Sequence, residues 1–178
     1  MILHLLRHGK SSWDEPALDD SERPLAPRGE RSARRLAPHL AEAGVKPSLV
    51  LCSTARRARQ TLELICDGLP DGVEILYEPG LYSGGPDRIL ARLRRLARRH
   101  EEVLVIGHNP ALQELALLLA GRAAPRQLRS KFPTGALVSL RLRGSTWRTV
   151  WPGQAEVVEV WRPRSDFRAS RGGPDTGG

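Results

Sequence analysis

Residues 2–6, Ile-Leu-His-Leu-Leu, form an apolar run that stops abruptly at Arg7, His8 and Gly9, and few architectures accommodate that succession. Read as a buried strand, the run puts Arg7 and His8 at its carboxyl end, where open α/β sheets place their ligands. Gly9 lets the backbone turn sharply and come close to a ligand. A histidine at a strand end is as a rule a hydrogen-bonded structural residue, so this stretch carries little alone. The pattern recurs, however. Residues 48–52, Ser-Leu-Val-Leu-Cys, read as a second short strand, followed by Ser53-Thr54-Ala55-Arg56-Arg57-Ala58-Arg59-Gln60-Thr61. Residues 102–107 read as a third, continuous and apolar over Val103-Leu104-Val105-Ile106 as befits a parallel strand covered on both faces, and His108-Asn109-Pro110 follow at once.

Between these strands the periodicity turns helical. Residues 28–43 carry Ala33, Leu36, Ala37 and Leu40 on one face, with Gly44 as a stop signal and Pro38 as an interior kink or break. A helix after residue 53 has Ser53 or Thr54 as its cap, Ala58, Leu62, Ile65 and Leu69 as its inward stripe, and Arg56 and Arg57 in its first turn. Cations are disfavoured there unless an anion sits nearby, so the pair marks either an anion site or two arginines that merely tolerate the position. Residues 73–77 read as a strand and 78–85 as a loop. Residues 86–99 read as a helix that buries Ile89, Leu90, Leu93, Leu96 and Ala97 and shows Arg88, Arg92, Arg94, Arg95, Arg98 and Arg99 to solvent. Asn109-Pro110 reads as an N-cap and first helical residue for a helix over 111–120 that Gly121 ends. Residues 10–27 and 121–133 read as loops, and 136–142, 146–151 and 156–161 as antiparallel strands closing the sheet. The tail, 162–178, is expected to be disordered, leaving one domain over 1–161.

Composition narrows the partners. With 40% apolar and 27% charged residues in 178, the chain is neither a disordered nor a membrane protein by composition, and no apolar run reaches the length of a membrane span. The amino terminus lacks the features of a secretion signal, and Cys52 and Cys66 have neither metal-ligand nor redox spacing; both read as core thiols of a cytoplasmic protein. The net charge of +8 comes from 28 basic residues scattered along helices, a solvated surface rather than a nucleic-acid module, since no zinc spacing or aromatic-studded basic strand accompanies it.

Taken in order, Arg7-His8-Gly9-Lys10-Ser11, Arg23-Pro24-Leu25, the stretch from Ser53 to Thr61, Gly107-His108-Asn109-Pro110 and Lys131-Phe132-Pro133-Thr134 resemble the histidine phosphatase superfamily, and within it the small SixA-type phosphohistidine phosphatases. The resemblance covers roughly residues 1–161. It implies a phosphoglycerate-mutase-like fold, a three-layer α/β/α arrangement on a mostly parallel central sheet. By the same resemblance His8 is the nucleophile that becomes phosphorylated, and Arg7, Arg57 and His108 hold the phosphoryl oxygens, with Ser11 and Asn109 as further substrate contacts. Arg57 is preferred to Arg56 because it stands directly before Ala58. A phosphoryl group in transfer spreads its charge over its oxygens, so two guanidiniums and an imidazole serve without a metal or other cofactor. His8 needs one ring nitrogen free, its other N–H held by a backbone carbonyl.

One departure bears on the substrate. Many members carry a glutamate general acid two residues after a leucine in the loop at 78–85, and here Leu81-Tyr82 is followed by Ser83; Glu78 is out of register. A phosphoramidate leaving group is easier to protonate than an alkoxide, which favours phosphohistidine in a partner protein. The alternatives are a phosphatase of a small phosphoester of the sugar phosphate or glycerate type, with Glu78 or Asp14 as acid, and a catalytically idle module that binds phosphate or nucleic acid. No specific nucleic acid and no membrane are expected as partners.

Overall fold

The computed structural model describes residues 1–163. Six strands form one sheet: β1 (Ile2–Arg7), β2 (Leu49–Ser53), β3 (Glu74–Glu78), β4 (Glu102–Gly107), β5 (Leu137–Leu142) and β6 (Ala155–Trp161). Their spatial order is β3-β2-β4-β1-β5-β6, with β3, β2, β4 and β1 parallel and the β1–β5 and β5–β6 pairs antiparallel. This is the three-layer α/β arrangement with a mostly parallel sheet. Side chains alternate across it. Leu3, Leu5, Val103 and Val105 face one layer, made by α4 (Pro86–Leu93) and α5 (Ala111–Ala120). Leu6, Val50, Leu104 and Ile106 face the other, made by α1 (Pro27–Glu42) and α2 (Arg56–Ile65). His4, the one polar residue in the middle of β1, is satisfied in the second layer by Ser139 Oγ at 2.8 Å and Glu102 Oε1 at 3.0 Å.

Several local expectations are corrected. Pro38 does not split α1, because it lies in the last turns, where the missing N–H removes one bond from a helix anchored by Leu36 and Leu40 on either side. The helix over 86–99 ends at Leu93, and Ala97 is exposed rather than buried. Residues 146–151 do not make a strand. A single 3₁₀ turn over Trp147–Thr149 drops Trp147 into the core, where its Nε1–H donates to the His100 carbonyl, while Arg94 donates twice to Val150 O. Within the expected loops lie two short helices, α3 (Gly80–Ser83) and α6 (Arg126–Ser130). Cys66 is exposed just past the inward stripe of α2, and only Cys52 is a core thiol. The expectation for 162–178 falls, beyond Pro163, outside the described residues.

One backbone crossing sets the position of the loop after β1. Gly29, in the first turn of α1, is so close to the Gly9-Lys10 segment that a Cβ there would lie 2.2 Å from the Lys10 carbonyl oxygen. Glycine is required by contact, not by dihedral angle. Ala26 N–H donates to the same carbonyl at 2.8 Å, so the loop after β1 is clamped against the start of α1.

Candidate active site

The carboxyl ends of β1, β2 and β4 are neighbours in the sheet, and this register brings His8, Ser53 and His108 to one edge. His8 N–H donates to the Gly107 carbonyl at 3.1 Å, tying the residue after β1 to the end of β4. The His8 and His108 rings lie 4.8 Å apart, centre to centre, with their planes at 53°. His8 Nδ1 is 2.6 Å from the Gly9 carbonyl, a contact that requires the proton on Nδ1. Nε2 is left with its lone pair, which receives Arg57 Nε–H at 3.3 Å. His108 is oriented by Ser53, whose Oγ lies 2.8 Å from Nε2, while Arg57 Nη2 approaches Nδ1 at 3.4 Å. The guanidinium donor fixes His108 as the Nε2–H tautomer, with Nδ1 turned to Arg57.

Arg57 reaches both rings because α2 starts at Arg56, directly after β2. The N-cap is Ala55, not Ser53 or Thr54, and no side chain caps the helix. Ser53 is occupied with His108 and accepts from Ala55 N–H at 3.3 Å. Asn109 is likewise not a cap: Pro110 holds that place, and Asn109 Nδ2 donates to Gln113 Oε1 and Phe132 O, both at 3.1 Å. The same Phe132 backbone carbonyl also accepts from Arg7 Nη1 at 2.8 Å. Ser11 Oγ accepts from Arg23 Nη2 at 2.9 Å, placing it in the entrance arm. Thr61 and Gln60 acquire a physical role: Thr61 Oγ1 receives Gly9 N–H at 3.0 Å and Gln60 Oε1 receives Leu25 N–H at 2.8 Å. Helix α2 thus pins both loops around His8.

Two residues at the mouth escaped the sequence reading. Asp20 lies in a 3₁₀ turn over Asp20–Glu22; its Oδ2 receives Arg57 Nη2 and the Tyr82 hydroxyl, each at 2.9 Å, and its Oδ1 receives Arg23 Nη1 at 2.8 Å. Its backbone carbonyl receives Arg57 Nη1 at 2.5 Å. Tyr82, on α3, sits edge-on to His108 at 5.4 Å. The only signal for Asp20 was its position three residues before Arg23-Pro24-Leu25; Tyr82 stands beside Ser83, where an acid was sought. Each of the two substitute acids is engaged by another side chain. Glu78 is paired with Arg92 at 2.7 Å, and Asp14 is bonded to Ser12 at 2.7 Å in the exposed loop.

The electrostatics follow from burial and cationic neighbours. Burial, His108, Arg57 and Arg7 together bring His8 down to about 3, against the smaller upward pull of its bond to Gly9. Burial, then Arg57 and Arg7, bring His108 to about 4, with Asp20 opposing. Both rings are therefore neutral near pH 7, so that His8 Nε2 keeps its lone pair. For Asp20, partial burial works upward, but hydrogen bonds from Tyr82, Arg57 and Arg23 outweigh it and hold the carboxyl at about 2, hence ionised. Among the described residues no group of three or more His, Cys, Asp and Glu side chains converges as metal ligands.

A strand-edge pair of neutral histidines bridged by a buried guanidinium, under a parallel sheet of this order, defines a class. The chain belongs to the histidine phosphatase superfamily, whose branch 1 family model matches residues 3–82. It is a phosphatase of that superfamily, and proteins named SixA are among those it is similar to. The phosphohistidine phosphatase SixA of Escherichia coli is 34% identical over 145 residues, covering 80% of this chain and 86% of that one. An uncharacterised Mycobacterium tuberculosis protein is 35% identical over 164 residues, covering 89% of this chain and all of the other. The protein histidine phosphatase SixA complexed with tungstate superposes with a TM-score of 0.73 at 31% identity, over 92% of this chain and 97% of that one. No helix among the described residues is long and apolar enough to cross a membrane.

Proposed function

We propose that the protein is a phosphohistidine phosphatase acting on a partner protein through a phosphorylated His8. His8 Nε2 attacks phosphorus, the bond from phosphorus to the substrate's imidazole nitrogen breaks, and water then attacks phospho-His8 to release phosphate and restore the ring. Arg7 and Arg57 donate to the phosphoryl oxygens, and His108 joins them when Nδ1, the ring atom that faces Arg57, takes up a proton. The likeness to SixA supports this reading, as does the tungstate in a SixA structure, a tetrahedral oxyanion of phosphate's shape.

The observation that carries the choice of substrate is the state of the acids at the mouth. Ser83 cannot donate usefully, Glu78 is engaged by Arg92, and Asp20 is held ionised by three donors. Expelling an alkoxide without a proton donor forfeits the roughly 10²–10⁴-fold that general acid catalysis gives. Near neutrality the phosphorylated imidazole can take a proton from solvent on its other ring nitrogen, for which the reference pKa is about 6.5, so that breaking the phosphorus–nitrogen bond releases a neutral imidazole. The test is the ratio of kcat/KM for a phosphohistidine peptide over an alkyl phosphate, measured in excess chelator. A large ratio, with phenyl phosphates falling between and Ser83→Glu narrowing it, is the expected result. Equal rates on an unactivated sugar or glycerate phosphate would overturn it.

A further inference from the structure

A cavity of about 330 Å³ opens beside the site, and Arg7 is in its wall. Arg7 is the link between the two spaces, since its charge is also felt by both His8 and His108. Three more cations line the cavity: Lys10 from the clamped loop after β1, Arg28 from the first turn of α1, and Lys131 from the segment before β5. Ser32 and Thr134 add hydroxyls, and no carboxylate is among the lining residues. Lys10, Arg28 and Lys131 are all exposed, and no carboxylate among the described residues pairs with them.

Four like charges converging from three separate segments repel one another, and Arg28 additionally meets the positive end of a 16-residue helix. Nothing in the packing of α1 or of the loop requires basic residues there. Arg7 Nε is buried without a hydrogen-bond partner, an uncompensated donor at the boundary with the phosphoryl pocket. Several arginines elsewhere on this chain do find partners: Arg23 is held by Ser11, Ser12 and Asp20, Arg92 by Glu78, Arg99 by Glu74. A cluster left unpaired next to an anion site is matched by a second anionic group on the same ligand.

Resting on the reading given under Proposed function, we infer that this groove holds acidic side chains flanking the phosphohistidine of the partner protein, so that the enzyme selects phosphohistidine in an acidic segment. The lysines and Arg28 present their charges on long exposed stems, which suits solvated carboxylates spread along a peptide. On the reading given above a compact phosphate is held differently, by the buried Arg57 and the partly buried His108.

The experiment compares phosphohistidine peptides flanked by two glutamates, two glutamines or two lysines, on the full chain and on Lys10→Glu/Lys131→Glu and Lys10→Gln/Lys131→Gln variants, with free phosphohistidine as the flank-free substrate. The wild type is expected to favour the glutamate peptide over the glutamine one by about fivefold to tenfold in kcat/KM at low salt, the scale of two exposed ion pairs, chiefly through KM. The preference shrinks as ionic strength rises. The neutral double variant abolishes it and the charge-reversed one inverts it, while free phosphohistidine is cleaved at the wild-type rate by both, which also reports that they are folded. Equal rates on all three peptides, with phosphohistidine still cleaved, would overturn the groove inference and leave the phosphatase reading standing. Failure to cleave any phosphohistidine would defeat the phosphatase reading, and this inference with it. A small bisphosphate that inhibits far more strongly than a monophosphate, in a manner lost on charge reversal while the peptides remain equal, would reassign the groove to a small anion.

Discussion

Arg56 and Arg57 are adjacent in sequence and differ completely in consequence. Arg57 is 7% exposed and touches both histidines, whereas Arg56 is exposed and reaches only the Glu22 carbonyl at 3.4 Å. Arg57→Ala should lose about a hundredfold or more in kcat/KM, the scale of one donor aimed at developing charge, and Arg56→Ala little; steady-state kinetics on one phosphohistidine substrate decides the register. Asp20 occupies donors of Arg57 that the phosphoryl group of the proposed reaction also needs. Asp20→Asn, which removes that competing charge, should lower the inhibition constant for inorganic phosphate several-fold. An unchanged constant would mean that Asp20 does not compete. The two histidines also give an acid-stability signature. With folded-state values of about 3 and 4 against 6.5, the unfolded chain binds more protons between these limits, so stability is full above pH 6.5 and falls as pH is lowered toward 3. Thermal melts across pH 7 to 4 should fall less steeply for His8→Asn than for the wild type.

Among the elements, the contact between the start of α1 and the loop after β1 carries the most consequence, because it positions both His8 and the groove cations. Gly29→Ala would drive a methyl into the Lys10 backbone and should cost on the order of 1–3 kcal/mol, read from the urea midpoint, with activity falling alongside. Gly85→Ala, where a Cβ meets nothing within 4 Å, is the control and should be near neutral. Helix α2 is the other positioning element: one turn of it supplies Arg57, Gln60 and Thr61, which hold the His8 ring, the entrance arm and the His8 loop respectively.

For the whole molecule, the +8 charge raises the question of nucleic acid. The arginines of residues 88–99 are in part spoken for, Arg92 by Glu78, Arg99 by Glu74 and Arg94 by the Val150 carbonyl. Binding to duplex DNA should accordingly be weak, blind to sequence and steeply lost with salt in an equilibrium titration. Tight, salt-resistant binding lost when Arg92 and Arg95 are reversed would contradict that expectation.

What the sequence determined was whatever depends on neighbours in the chain. The apolar runs of β1, β2 and β4, the stripes of α1 and α2, and Gly121 closing α5 at φ 57° are local consequences of periodicity and of glycine's tolerance. The bounds of β4 and the end of α5 were therefore legible to the residue, while α5 begins one residue later than its cap signals suggest, with Pro110 as N-cap; the succession of Arg7-His8-Gly9, Arg57 and His108 was legible too. The sequence could not show what long-range pairing decides. Ser53 and Asn109 look like helix caps in one dimension, and become an orienter of His108 and a prop beneath Phe132 only once β2 and β4 lie side by side. The 146–151 segment alternates like a strand, but burying Trp147 outweighs pairing its backbone. Asp20 and Tyr82 are 62 residues apart and meet only because the entrance arm folds back over α2 and α3. Lys10, Arg28 and Lys131, three unremarkable surface cations along the chain, become one groove only through the crossing at Gly29, since charge adds up by distance in space and not by distance in sequence.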